Sequence, residues 1–289
     1  MKMKLLYTLF ISILSIVSLK AQSIDIKGTV LKTDTIKKQI LDKGDLRIYY
    51  TLDYLKDSTN IHRKKHAETF LQVGQKTTRF MDYNKFRMDS VNDVSVKKGL
   101  SFATFLPAIM NLMNKVKYKP NIIEGYPDGE ITFQEGIAMA KTHEYNEPIP
   151  QLKWKLLNRD TIIQNHVCKK ASLNYRGRDY IAWYSEKIEL PLGPYIFRGL
   201  PGLIFKIRDT KNNYIFNISG IEKMDEKEYI YRYSGNEIAH VSRDKFRKID
   251  RNCHLDPLKD MMTCGKTIKM SKKTKATISP IPYNPIELK

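Results

Sequence analysis

From Leu46 to Tyr54 the chain alternates. Leu46, Ile48, Tyr50, Leu52 and Tyr54 are apolar or aromatic, and Arg47, Tyr49, Thr51 and Asp53 fall between them. A period of two predicts a β-strand with one buried face. Ala67, Thr69, Leu71 and Val73 continue the pattern, and after Gly74-Gln75-Lys76 a return strand is expected from Thr77 towards Met88. Between Gly99 and Lys117 the period changes. Leu106, Ile109, Met110, Met113 and Val116 recur at helical spacing, which predicts a helix with Pro107 in its first turn and the methionines packed inward. Pro120 to Gly129 reads as a loop, and residues 131–145 suit helix or strand equally.

A meander is expected next. Lys153–Leu157 precedes a turn signal at Asn158-Arg159-Asp160, and Thr161–Tyr175 holds two strand pieces. Arg176-Gly177-Arg178 turns the chain into Asp179–Ser185. A Pro- and Gly-rich connector then ends in Gly199-Leu200-Pro201-Gly202-Leu203-Ile204, and further strands start at Leu203, Tyr214 and Tyr229. A phosphate-binding glycine loop follows a strand and opens a helix. Here the glycines precede a strand and nothing polar converges on them. The six residues therefore read as a structural corner, with Leu200, Leu203 and Ile204 packing inward. The fold class expected is mainly β (α+β): a curved antiparallel sheet or half-open barrel, with the 100–117 helix on its concave face.

The first 21 residues change the picture. Lys2 and Lys4 precede an uncharged run from Leu5 to Leu19, and Leu19-Lys20-Ala21 ends on a small residue. This pattern predicts a secretory signal at 1–21 and a single β-rich domain over 22–289. The chain carries +19; three lysines and no acid lie in the signal, so the remainder carries +16. An exported, basic protein points away from nucleic acid and towards anionic lipid, glycan or peptidoglycan, unless the charge only keeps it soluble. The apolar concave face points to a non-enzymatic binding or accessory module that holds a lipid-like ligand or docks an outer-membrane or other envelope partner. Expected localisation is the periplasm or cell envelope.

Export also bears on Cys168, Cys253 and Cys264. An oxidising compartment favours a Cys253–Cys264 bridge, worth about 3 kcal/mol in the chain-entropy view. Cys168 is then left over, either buried or open to an outside partner. The alternative for this segment is copper: Cys253, His254, Met261, Met262 and Cys264 are soft ligands close in sequence. A disulfide would remove both thiolates.

Other candidate chemistry is sparse. His62 and His66 have the spacing of a helical zinc pair, but cationic neighbours surround them and no Glu follows the first. Nucleophile-elbow, zincin and P-loop motifs are missing, so no catalytic residue, cofactor or metal ligand is assigned. Glu186 and Glu189 read as a solvated rim, and Asp179 as a surface partner of a cation. Tyrosines interleave with basic residues at Tyr175-Arg176, Arg178–Tyr180 and Tyr229–Tyr233. Such faces suit carbohydrate or anionic lipid, and cross-strand packing explains them equally well.

The stretch Gly199–Ile204 resembles the signature of the GLPGLI family. Cys168-Lys169-Lys170-Ala171, Arg176-Gly177-Arg178, Ala182-Trp183-Tyr184, Gly193-Pro194 and Phe197-Arg198-Gly199 occur in that family's order, and Tyr283-Asn284-Pro285-Ile286-Glu287-Leu288 is similar to its ending. The resemblance covers roughly residues 150–220 and that last stretch. It implies an exported bacterial envelope protein with a β-rich fold and no assigned activity.

Overall fold

The computed structural model describes residues 34–137, 142–225, 228–257 and 280–289. Its centre is β1 (Lys38–Leu55), the predicted alternating strand. Ile48, Tyr50 and Leu52 are at most 1% exposed on one face. The strand is long enough to serve two sets of partners. Lys38–Lys43 pairs with β12 (Tyr229–Tyr233), and Leu46–Tyr54 lies between β2 (Lys64–Gly74) and β11 (Tyr214–Lys223).

From β2 the sheet continues through β3 (Thr78–Asp82), β4 (Asn121–Glu124), β5 (Glu130–Gly136) and β6 (Thr142–Pro148) to β13 (Ile238–His240), which pairs parallel to β6. Beyond β11 come β10 (Leu203–Asp209), β9 (Arg178–Ser185), β8 (His166–Tyr175) and β7 (Lys155–Ile163). The result is one mainly antiparallel, open sheet of 13 strands, with β13 and β7 at its edges.

The sheet is not rolled into a barrel, yet it cannot be flat. β6 and β7 stand ten positions apart in strand order, about 48 Å at the usual strand spacing. Only residues 149–154 join them, and the seven Cα steps from Pro148 to Lys155 reach at most about 25 Å. The sheet must bend to bring these strands together. Contacts across the bend agree: Arg176, at the β8–β9 turn, meets Glu147 of β6.

Both faces are covered. On the side of Ile48, Tyr50 and Leu52 the connector 186–202, the segment 280–289 and α3 (Arg243–Leu255) enclose the main core. On the opposite side, Tyr49 meets Tyr83, and Phe70 meets Tyr83 and Phe86, of α1 (Tyr83–Lys97) at 5.1–5.6 Å between ring centres.

Several expectations need correction. The strand expected to run to Met88 stops at Asp82, whose carboxylate accepts from the Asn84 and Lys85 amides and so starts α1. The helix expected near 100–117 is α2 (Phe102–Lys115), capped at Ser101, so Pro107 lies in its second turn. It packs on α1 and not on a concave sheet face, and Phe105 and Leu112 form its buried side. Met110 and Met113 are 49% and 53% exposed. The loop expected at 120–129 contains β4, and residues 131–136 and 142–145 are in strands. Asn158-Arg159-Asp160 is a bulge within β7 rather than a turn, and α3 had no counterpart in the sequence reading.

The Gly199–Ile204 corner is tightly built. Leu200, Leu203 and Ile204 are at most 1% exposed. The Gly199 amide donates to Pro191 O, that of Ile204 to Leu192 O, and the Tyr50 hydroxyl donates to Ile204 O at 2.8 Å. A Cβ on Gly202 would lie 2.1 Å from the Ser185 carbonyl oxygen. Only glycine allows β9 and the corner to come this close.

Candidate functional site

The segment 280–289 is bound to the sheet as a ligand would be. Asn284 Nδ2 donates to Leu55 O at 2.7 Å, and the Tyr214 and Tyr180 hydroxyls donate to Asn284 O and Ile286 O at 2.6 and 2.8 Å. Arg178 reaches Asn284 and Pro285, and it also meets Asp209 inside the fold. Glu287, 3% exposed, takes both oxygens to Arg176, accepts from Tyr195 at 2.6 Å, and pairs with Arg243 at 2.6 Å. Burial and the Glu147 and Glu287 carboxylates act in opposition on Arg176, and the net effect holds its guanidinium charged. The interleaved Tyr175-Arg176 and Arg178–Tyr180 residues therefore grip the protein's own chain. Of Tyr229–Tyr233, Tyr229 is exposed, but Tyr231 lies under the Arg79 guanidinium at 3.8 Å and Arg232 pairs with Glu144 at 2.6 Å.

Between this segment, α3 and the sheet lies a cavity of about 210 Å³. Its walls are aromatic: Tyr54, Tyr118, Tyr145, Tyr195 and Tyr214, with Phe133 and Phe246. Tyr54 donates to Lys117 O at 2.6 Å and Tyr195 to Glu287. The Tyr118 hydroxyl is buried and finds no partner among the described residues. Lys56, Lys117 and Lys119 also border the cavity, and all three are exposed.

Glu135 sets the chemistry. Alternation along β5 puts Ile131, Phe133, Glu135 and then Ile137 on one side, so a carboxyl occupies a core position. Glu135 is half-buried at the cavity wall. Burial, helped by the nearby Asp250 charge and opposed by Lys119, pushes its pKa up to about 8. The carboxyl is then largely protonated at neutral pH and can donate a hydrogen bond. Asp250 of α3 is also raised by burial, against the pull of His254. Its Oδ1 is 3.4 Å from His254 Nδ1, and the His254 ring packs on Tyr283 with centres 5.0 Å apart.

The structure brings few of the sequence candidates to this cavity. Gly199–Ile204 does not line it, and Leu200, Leu203 and Ile204 belong to the main core. Cys253, on α3, is buried in the core cluster, and Cys264, Met261 and Met262 lie outside the described residues. No group of three or more His, Cys, Asp or Glu is arranged for a metal ion among the described residues. His62 and His66 are not on a helix: His66 is exposed in β2 and meets Asp53 at 2.7 Å. Glu186 pairs with Lys169 at 2.7 Å on the surface, and Asp179 accepts from Asn174 at 2.7 Å rather than pairing with a cation. Cys168 is 0% exposed, so it is closed to an outside partner. Glu135 and Asp250 were missed. A lone Glu in an otherwise apolar alternation was the available signal for the first.

No family model matches the chain. No curated protein matches it either. Two solved structures of PNGF-II, in space groups C2 and P21, are similar with a TM-score of 0.46 each. They are 10% and 11% identical over 71% and 73% of this chain, which spans about a third of their length (32% and 34%). This likeness carries no argument about function.

Proposed function

We propose that the protein is an exported, GLPGLI-type envelope protein acting as a non-enzymatic binding module, whose cavity takes a short amphipathic anion. The observation that carries this is the cavity itself: aromatic walls, a protonated carboxyl within, and lysines at its border. Apolar walls with a few placed polar groups are the usual form of a small-ligand site, and about 210 Å³ is small beside the ~300–1,000 Å³ of sites for drug-sized molecules. A single ring or short chain suits it. The apolar body would lie among Tyr54, Tyr118 and Tyr214, with its carboxylate or phosphate on Lys56 and Lys119. Glu135 would donate rather than repel. The signal-like residues 1–21 and the positive charge support export.

The test is calorimetric titration with octanoate, octyl phosphate and octanol. Saturable binding of either anion, weaker for octanol and weakened in Lys56→Glu/Lys119→Glu, is expected. Absence of binding by all three would remove the reading.

A second reading rests on Glu135 beside Asp250. A pair of neighbouring carboxyls whose surroundings shift their protonation is an arrangement used for general acid–base work, and burial raises both of these. Turnover of a panel of nitrophenyl esters and glycosides that disappears in Glu135→Gln would place this reading first. The copper alternative retains only Cys253 and His254 among the described residues, and Cys253 faces the core.

A further inference from the structure

Helix α2 is apolar on two sides. Phe102, Phe105, Ile109 and Leu112 recur every three or four residues and form its inner stripe, with Phe105 and Leu112 buried against α1. Ala103, Leu106, Pro107, Met110 and Met113 form a second stripe about a third of a turn away. Ala103, Pro107, Met110 and Met113 are exposed. A helix apolar on both sides is ordinarily sunk in a core. This one sits on the surface with its outer stripe uncovered, continued by Leu100 (40% exposed) and Val94 (48%).

The surrounding charge is of one sign. Between Asp93 and Glu124 the chain has no acid and five lysines: Lys97, Lys98, Lys115, Lys117 and Lys119. They flank the helix at both ends and all five are exposed. The neighbouring acids of α1 are engaged elsewhere, Asp93 with Lys38 at 2.5 Å and Asp89 with Lys85. Fourteen residues make about 21 Å of helix, too short for a hydrocarbon core of about 30 Å.

We propose that α2 is an interfacial helix: its outer stripe enters the headgroup–acyl boundary of an anionic lipid surface, and the flanking lysines meet the headgroups. An uncharged apolar stripe with lysines at its ends is the pattern of a helix lying in the plane of a membrane. Polar protein partners would leave that stripe opposite groups it cannot pair. The inference goes beyond the cavity reading and does not need it. The two sites are adjacent, however, since Lys117, Tyr118 and Lys119 leave α2 and line the cavity.

The test is vesicle co-sedimentation of the full chain without residues 1–21. Phosphatidylcholine vesicles are compared with vesicles containing 30% phosphatidylglycerol, at low and high salt. Binding to the anionic vesicles, reduced by salt, is expected. A lysine near such a surface is worth about fivefold in partitioning, so Lys97→Ala/Lys98→Ala/Lys115→Ala should weaken binding roughly a hundredfold. Met110→Glu/Met113→Glu should weaken it at least tenfold, with an unchanged melting curve because both side chains face solvent. Absence of binding, equal binding to neutral vesicles, or unaltered binding by the methionine variant would each overturn the proposal. So would a dimer in solution that the methionine variant converts to monomer without any vesicle binding, since a second copy would then be the occupant.

Discussion

Arg176, just past the end of β8, and Glu147 of β6 meet through two hydrogen bonds of 2.9 and 2.5 Å, although β8 and β6 are nine positions apart in the sheet. The same guanidinium holds both oxygens of Glu287 at 2.8 Å. One arginine thus joins two distant strands to the segment 280–289. Glu287→Ala should remove a buried partner of Arg176, Arg243 and Arg247, leaving Glu147 to serve the first two, and removing one member of such a cluster costs about 3 kcal/mol. Urea unfolding should show that loss, with Glu287→Gln intermediate because it can still accept from Tyr195.

Two glycines of the corner should differ sharply. A Cβ on Gly202 would collide with the Ser185 carbonyl, whereas Gly199 has φ +87° and nothing within 4 Å. Gly199→Ala should cost about 1 kcal/mol through its backbone conformation alone. Gly202→Ala should cost at least twice as much, because β9 or the corner must move. Paired melting curves of the two variants test the order, and equal losses would contradict the close approach.

Stability should depend on Glu135 with a defined sign. In the unfolded chain this carboxyl loses its proton near 4.5, and in the folded protein only near 8. Between those values the folded state binds more protons, so stability falls as pH rises from about 4.5 to 8. Glu135→Gln lacks this dependence. Its melting temperature relative to the native protein should climb across that window and level off above it. A difference that stays flat from pH 5 to 8 would mean an ordinary carboxylate.

Cys168 should be silent in the folded protein. Its thiol is fully buried, and burial pushes its pKa up to about 11. Thiolate is the reactive form, so alkylation at pH 8 should label it only after unfolding. Peptide mapping of protein treated with iodoacetamide, native and in guanidinium, reads this directly.

The sequence revealed those parts of the fold that rest on local alternation. Leu46–Tyr54 sits in β1 because its period-two pattern meets buried neighbours on both sides. Thr77–Met88 misled because Phe80 and Asp82 continue an alternation that the Asp82 cap then ends. Met110 and Met113 followed the helical period faithfully, but a period cannot say which of two apolar stripes is covered. The cavity was less legible. Glu135 left a faint mark in β5, while Arg176 and Glu287, 111 residues apart, left none that spacing could show. Both lie in the stretches on which the resemblance to the GLPGLI family rests, and that resemblance names no contact between them.

The docking of residues 283–289 also has a kinetic side. Asn284 bonds to Leu55 across 229 residues, and Arg178 to Pro285 across 107. Closing such long loops costs entropy before any contact is gained, and chains dominated by distant contacts fold slowly. Many neighbouring strands can pair in sequence, but β1 must still find β11 and β12, and residues 280–289 then help to pin the bend. Until they dock, the aromatic cavity wall stands open on one side, and a chain caught in that state would expose apolar surface to its neighbours.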